Sequence, residues 1–331
     1  MTEKSVDVLA IGNAIVDVIA DADDDFLADQ GLTKGSMRLI DEAEAERLYS
    51  AMGPGRELSG GSAGNTAAGL AALGCRAAFI GQVANDELGD IYRHDIESMG
   101  IDFLVPSRGD VGATARSLIL VTPDAQRTMN TFLGAAQKLN RTAINPAAIA
   151  AAGIVYLEGY LWDPEEPREA MKAAIDIARS TDTKVAFTLS DGFVVERHRA
   201  DFERLIEEGK IDILFANEQE FLHLAHATDL EPAIAQFAAK VPTLVVTRSE
   251  QGALAWSGGE RADVPAEPIE RLVDTTGAGD LFAAGFLAGQ ARGRSLEDSL
   301  RLGAIAASEV IQHYGARPEL DLAALATPLL N

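Results

Sequence analysis

Short apolar runs bounded by glycine, proline or acidic residues recur along the chain. Between many of them apolar positions return every three or four residues, as on a helix with one buried face. Residues 6–11 form such a run and end at Gly12-Asn13, which predicts a buried strand. Residues 15–20 and 37–40 read as further short strands, separated by the acidic string at 21–25. Asp41 is placed to cap a helix running to Tyr49. The glycine-rich stretch at 58–65 opens a small-residue helix that Gly74 stops. A strand at 77–83 and a helix at 86–99 follow. From 102 to 133 the pattern turns to short β runs, with a hairpin of 116–121 and 127–132 around Pro123-Asp124.

Beyond residue 153 strands and helices alternate, with strands predicted at 154–157, 184–189, 211–215 and 243–246. Helices are expected at 167–179 and 232–239, and a last helix at 296–313 with a Ser295/Asp298 capping box and Gly315 as its stop. That alternation implies an α/β fold, a doubly wound and mostly parallel sheet with ligands at its C-terminal strand edges. The interrupting β runs are assigned to a small β lid. The expected division is therefore a core of 1–12, 41–101 and 134–331, with a lid of 13–40 and 102–133.

At 331 residues, with 47% hydrophobic and 6% aromatic residues, the chain suits one large Ala- and Gly-rich core with an appended smaller unit. A formal charge of −23 argues against nucleic-acid or membrane partners, because phosphate surfaces require a basic face. No apolar run reaches the roughly 18 residues of a transmembrane helix. The N-terminus has no signal-peptide pattern, and the single cysteine, Cys75, excludes an internal disulfide. A cytoplasmic protein binding small molecules, monomer or homodimer, is expected.

Candidate chemistry concentrates in Asp274-Thr275-Thr276-Gly277-Ala278-Gly279-Asp280 and the apolar run behind it. Two glycines allow a close backbone approach, and the helix behind them offers N–H groups to an anion. Asp280 beside that anion hole is placed to deprotonate a hydroxyl, or simply to cap the helix. Asn217 and Glu220 could face a Mg²⁺ ion or its waters, or form a capped helix start. Thr247 to Gly252 could line a nucleotide or merely turn a hairpin. Gly12-Asn-Ala-Ile-Val-Asp17 lacks the glycine spacing of a dinucleotide fingerprint, which removes an NAD-dependent dehydrogenase.

The Gly60–Gly74 stretch and the Asp274–Asp280 motif together resemble the two signature regions of the ribokinase-like (PfkB) carbohydrate kinases, and the resemblance spans essentially the whole chain. It implies phosphorylation of a hydroxyl by ATP with Mg²⁺, with Asp280 as base, Gly277, Ala278 and Gly279 as anion hole, and Arg127 as a lid arginine near the phosphoryl group. By the same resemblance Asn13, Asp17, Gly61 and Asn65 hold acceptor hydroxyls, and Asn217, Thr247, Gly252, Gly277 and Gly279 meet ATP. Glu220 and Asn217 would serve Mg²⁺, and Asp274 and Thr276 a possible K⁺. The chain departs from the family at Ser249, where glycine is common.

Gly12–Asp17, Asp25-Phe26-Leu27, Asp124–Arg127 and Gly159-Tyr160 resemble adenosine kinases most closely. That likeness implies an apolar purine pocket of Ile15, Leu39, Met129, Leu133 and Tyr160, with adenosine converted to AMP. The same residues could instead pack lid against core. A ribokinase-, fructokinase- or 2-keto-3-deoxygluconate kinase-type sugar kinase and a non-catalytic ligand sensor are the alternatives.

Overall fold

Along the first strand, Val8 and Ala10 point to one side of a sheet and Leu9 and Ile11 to the other, and all four are fully buried. A strand apolar on both faces belongs in the middle of a parallel sheet covered by helices. The computed structural model, which describes residues 4–124 and 126–330, places it there. Ala125 of the predicted hairpin and the chain termini lie outside the described residues.

In chain order the first strands are β1 (Val6–Ile11), β2 (Ile15–Asp21), β3 (Met37–Leu39), β4 (Arg56–Gly60), β5 (Ala77–Ile80), β6 (Asp102–Phe103) and β7 (Ala115–Val121). They are followed by β8 (Arg127–Phe132), β9 (Ala152–Glu158), β10 (Lys184–Thr188), β11 (Ile213–Asn217), β12 (Thr243–Thr247), β13 (Ala253–Ser257) and β14 (Glu260–Val264). Nine of them form a large sheet in the order β14-β13-β12-β11-β10-β9-β1-β5-β6. From β12 to β6 every pairing is parallel, and β13 and β14 add an antiparallel edge. The other five form a small sheet in the order β3-β8-β7-β2-β4.

One core cluster holds the helices Ser62–Ala72, Ala278–Ala291 and Leu296–Val310 against the sheet; the other holds Glu165–Ser180 and Gly192–Glu207 on the opposite face. The first cluster explains the abundance of small residues. A Cβ on Gly69 would lie 2.6 Å from Leu281 Cδ1, and one on Gly285 would lie 2.3 Å from the Leu302 carbonyl oxygen. The helices therefore approach almost backbone to backbone, which brings the starts of Ser62–Ala72 and Ala278–Ala291 together.

The sheet boundaries differ from the sequence reading in two places. Residues 56–60, expected in the core, pair antiparallel with β2 in the small sheet. Residues 102–103, expected in the lid, pair parallel with β5 in the large one. The helix expected to end at His313 ends at Val310; Gly315 lies in the loop beyond it, and two short helices, Leu322–Leu325 and Thr327–Leu330, follow. Ser295 accepts from the Asp298 amide, one half of the expected capping box. Among the described residues, no helix is long and apolar enough to cross a membrane.

Candidate active site

Where the parallel strands end, the starts of Ser62–Ala72 and Ala278–Ala291 face the small sheet across a cleft of about 440 Å³. Asp280 sits in its wall, at the third position of its helix behind Gly277. It does not cap that helix: one carboxylate oxygen accepts from the Ser62 hydroxyl at 2.6 Å and the other from Asn65 Nδ2 at 2.9 Å. Burial raises its pKa, and those two hydrogen bonds pull it back. A carboxylate held in this way toward a cleft can accept a proton from a hydroxyl. The Asn65 side-chain oxygen is buried and unpartnered, an acceptor waiting for a donor.

Asp17 lines the same cleft from β2, opposite Gly60, where an added Cβ would lie 2.4 Å from its carboxylate. Burial pushes Asp17 up to about 6; Arg317 and Arg127 draw it down, while Asp280 and Asp274 push it up. Gly61, at φ 80°, passes so close to the Asn13 carbonyl that a Cβ would sit 2.1 Å from its oxygen. Only glycine fits that turn.

Two expectations change here. Asn13 does not line the cleft. Its backbone N–H and side-chain amide both donate to Glu158 Oε1, at 2.7 and 2.6 Å. Glu158, which sequence reasoning passed over at the end of an apolar run, is fully buried and also accepts from the Ala63 amide at 2.8 Å. It caps a helix whose own cap residue, Gly61, has no side chain to do so. Burial pushes Glu158 up to about 7. Of the purine set, Ile15, Met129 and Tyr160 line the cleft, but Leu39 and Leu133 do not. Leu39 lies on the edge strand β3 and is 63% exposed, and at Leu133 the chain turns away into a 3₁₀ helix.

The turn before Asp280 is fixed from all sides. Asp274 accepts from the Thr276 amide and hydroxyl at 3.0 and 2.7 Å, from the Gly315 amide at 3.0 Å, and from the Arg127 guanidinium. Arg127 also donates to Thr276 Oγ1 at 3.1 Å. Four donors therefore occupy the Asp274 carboxylate and fix the turn. Gly277, at φ 79°, starts the helix, and the following first-turn amides have no helical carbonyl to reach. The Ala278 amide turns back to the Thr275 carbonyl at 3.2 Å, which leaves the Gly279 and Asp280 amides to offer to an anion.

A second cavity, of about 690 Å³, lies against this turn and shares Thr247, Thr275, Gly279 and Phe282 with the cleft. Its apolar walls come from Pro268, Ile269, Leu272, Ala304, Ala307 and Ile311, none of which carries a motif readable in sequence. The result is a largely apolar slot beside the helix start. Gly252 is confined by the Val264 carbonyl, 2.0 Å from a would-be Cβ. Ser249 adopts the left-handed conformation at φ 49°, which is the physical reason a glycine suits that position.

Asn217 and Glu220 line the cleft and form a complete capping box: Glu220 accepts from the Asn217 amide at 3.0 Å and side chain at 2.7 Å, and donates its own N–H to Asn217 Oδ1 at 2.8 Å. Burial pushes Glu220 up to about 7. Among the described residues no group of three or more His, Cys, Asp or Glu could hold a metal ion. One acidic side chain beside an anion site does fit Mg²⁺ arriving with its phosphates, since that ion keeps waters and takes one or two protein carboxylates.

The chain is similar to solved structures over almost its whole length. It is 49% identical to a probable sugar kinase from Rhizobium etli (TM-score 0.90, covering 98% of both chains). It is 48% identical to the adenosine kinase from Sinorhizobium meliloti (TM-score 0.89, covering 98% of this chain and 99% of the other). Over 267 residues it is 30% identical to the cytidine kinase of Thermococcus kodakarensis, covering 78% of this chain and 89% of that one. The profile of the pfkB family carbohydrate kinases matches residues 7–322. With that match, the ribokinase-like sheet and a carboxylate set beside a helix-start anion site, the chain belongs to the pfkB family of carbohydrate kinases, phosphotransferases that act on hydroxyl acceptors.

Proposed function

We propose that the chain phosphorylates the 5′-hydroxyl of a nucleoside, adenosine to AMP, with ATP and Mg²⁺ as donor. The observation that carries this reading is the pairing of Asp280 with Asp17 across one cleft that also contains Ile15, Met129 and Tyr160. Asp17 can accept from two hydroxyls and Asn65 from one more, which suits the vicinal diol of a ribose. The three apolar side chains then face what the ribose carries. A second sugar in their place would leave hydroxyls unpaired, at about 1–3 kcal/mol for each buried polar group. The 48% identity to an adenosine kinase supports the same choice.

In this reading Asp280 takes the hydroxyl proton as the oxygen attacks, and Ser62 and Asn65 keep its carboxylate aimed. The first-turn amides behind Gly277 receive the charge of the transferring group. Arg127 leaves Asp274 for that group, and Glu220 with Asn217 would hold the Mg²⁺ that neutralises the donor's phosphates. The small sheet covers the acceptor and excludes water.

A free-sugar acceptor is the second reading. It is favoured by the hydroxyls of Ser117, Thr131, Thr188 and Ser190 along the same cleft and by the 49% identity to a probable sugar kinase. Steady-state rates with adenosine, cytidine, inosine, ribose, fructose and 2-keto-3-deoxygluconate decide between the two. Adenosine should give the highest kcat/KM. A free sugar in first place overturns the nucleoside reading, and no turnover with any acceptor would favour a ligand sensor.

A further inference from the structure

Behind the cleft, the loop that follows Leu296–Val310 carries an arginine that no motif singles out. Arg317 Nη1 donates to the Gly64 carbonyl at 2.8 Å, and Nη2 donates to the Ser59 hydroxyl at 2.8 Å and to the Ser59 carbonyl. Ser59 is the residue before Gly60 in β4, and Gly64 lies between Ser62 and Asn65, the two residues that hold Asp280. One guanidinium therefore clasps both ends of the acceptor loop. Its own loop is pinned: Glu309, 3% exposed, accepts from the Glu319 and Leu320 amides at 2.9 and 2.8 Å.

The charges around it have a pattern. Asp17 on β2 and Asp280 at the start of Ala278–Ala291 both lie within the electrostatic reach of Arg317. Asp95 and the Tyr92 hydroxyl face it from the helix Glu87–Ser98. Asp95 is committed elsewhere, accepting from the Ser59 amide at 2.8 Å and the Ser59 hydroxyl at 2.5 Å. Asp17 is also within reach of Arg127 and Asp274; Arg317 and Arg127 both draw its pKa down, and Arg317 does the same for Asp280. Two carboxylates sharing one buried site oppose each other's ionisation unless a cation serves both. Arginine suits that place because one planar fork reaches the Gly64 carbonyl and Ser59 together while carrying the charge.

We infer that Arg317 is a positioning residue of the acceptor cleft, holding the Ser59–Gly64 loop and acting as the common counter-charge of Asp17 and Asp280. This rests on the reading of Asp17 as hydroxyl acceptor and Asp280 as base. Without Arg317 both carboxylates hold their protons to higher pH, so at a given pH more of the acceptor's partners are protonated.

The test is the pH dependence of kcat/KM for adenosine in Arg317→Met and Arg317→Lys. In Arg317→Met the acceptor KM at about pH 7 should rise by ~10-fold or more. The acid limb should move up by about one pH unit, with recovery toward wild type in alkali and a donor KM changed less than about twofold. Arg317→Lys keeps the charge and loses the two-pronged clasp, so its limb should stay in place while kcat/KM falls several-fold. A Met variant that loses activity equally at every pH, or keeps the wild-type limb, overturns the proposal. If the Met variant does not fold, a limb that moves in the Lys variant overturns it and one that stays supports it. Asp17→Asn, measured alongside, separates the two readings: unchanged adenosine KM there removes Asp17 as hydroxyl acceptor, while the effect of Arg317 on Asp280 is still read from the limb. Wild-type protein inert toward adenosine fails the nucleoside reading before any variant is made.

Discussion

Arg127, at the start of β8 in the small sheet, closes its guanidinium on the carboxylate of Asp274, in the turn before the anion site. The two residues belong to different sheets' surroundings, and both side chains are buried. Two of the arginine's nitrogens, Nε and Nη2, remain buried without a partner. An ion pair so placed is disrupted at considerable cost if one member is removed. Arg127→Gln should lower kcat by about 10-fold or more, in line with the loss of a charged group at a developing charge. It should also loosen the small sheet, seen as faster hydrogen exchange in β8. Unchanged kcat would remove Arg127 from the chemistry.

Asp280→Asn should lower kcat by about 10²-fold or more, because the amide cannot accept the hydroxyl proton. Ser62 and Asn65 lose little by facing an asparagine, so the acceptor's dissociation constant should move little. Near-normal turnover would exclude Asp280 as base.

Glu220→Gln separates a metal role from a capping role. Loss of the reciprocal cap alone costs about 1 kcal/mol of stability and leaves the Mg²⁺ requirement where it was. The expected result is a higher Mg²⁺ concentration for half-maximal rate in a folded protein. A lower melting temperature with an unchanged Mg²⁺ titration would assign the residue to the helix start only.

Asp17 makes the unliganded protein pay for its cleft. Its pKa rises from 3.8 unfolded to about 6 folded, so the folded state binds the proton more tightly. Stability from this group is therefore present at low pH, falls as pH rises through that window, and is lost above it. Asp17→Asn should melt higher than wild type near pH 8, by about 1–2 kcal/mol, with the difference vanishing near pH 4. The same variant should bind adenosine more weakly. An equal gap at both pH values would mean that the charge is not the cause.

If the small sheet covers the acceptor, β2, β7 and β8 should gain hydrogen-exchange protection when adenosine binds. Equal exchange with and without adenosine would make that sheet a fixed wall.

What the sequence revealed follows from how each element signals itself. β1, β9, β10 and β12 are apolar on both faces and need no tertiary context to be seen. β4 escaped because Arg56-Glu57-Leu58-Ser59-Gly60 is a polar edge strand, and its hydrophobic alternation is too short to read. Asp280 was visible through the two glycines beside it. Glu158 was not, since a glutamate closing an apolar run looks like a strand end until its three donors are seen. Leu39 was misplaced because a side chain on an edge strand can face the cleft's sheet yet lie beyond the cleft. Arg317 stands alone in sequence, and its hydrogen bonds go to residues more than 200 positions away.

The cleft and the second cavity share Thr247, Thr275, Gly279 and Phe282, while the rest of their linings differ. On the proposed reading donor and acceptor sit on largely separate linings at once, and the phosphoryl group passes directly from one to the other while Asp280 takes the hydroxyl proton. Initial-rate lines at varied ATP and adenosine should intersect rather than run parallel. At high concentration, an adenosine molecule lodged in the apolar slot would compete with ATP, so excess acceptor should slow the enzyme and added ATP should relieve it.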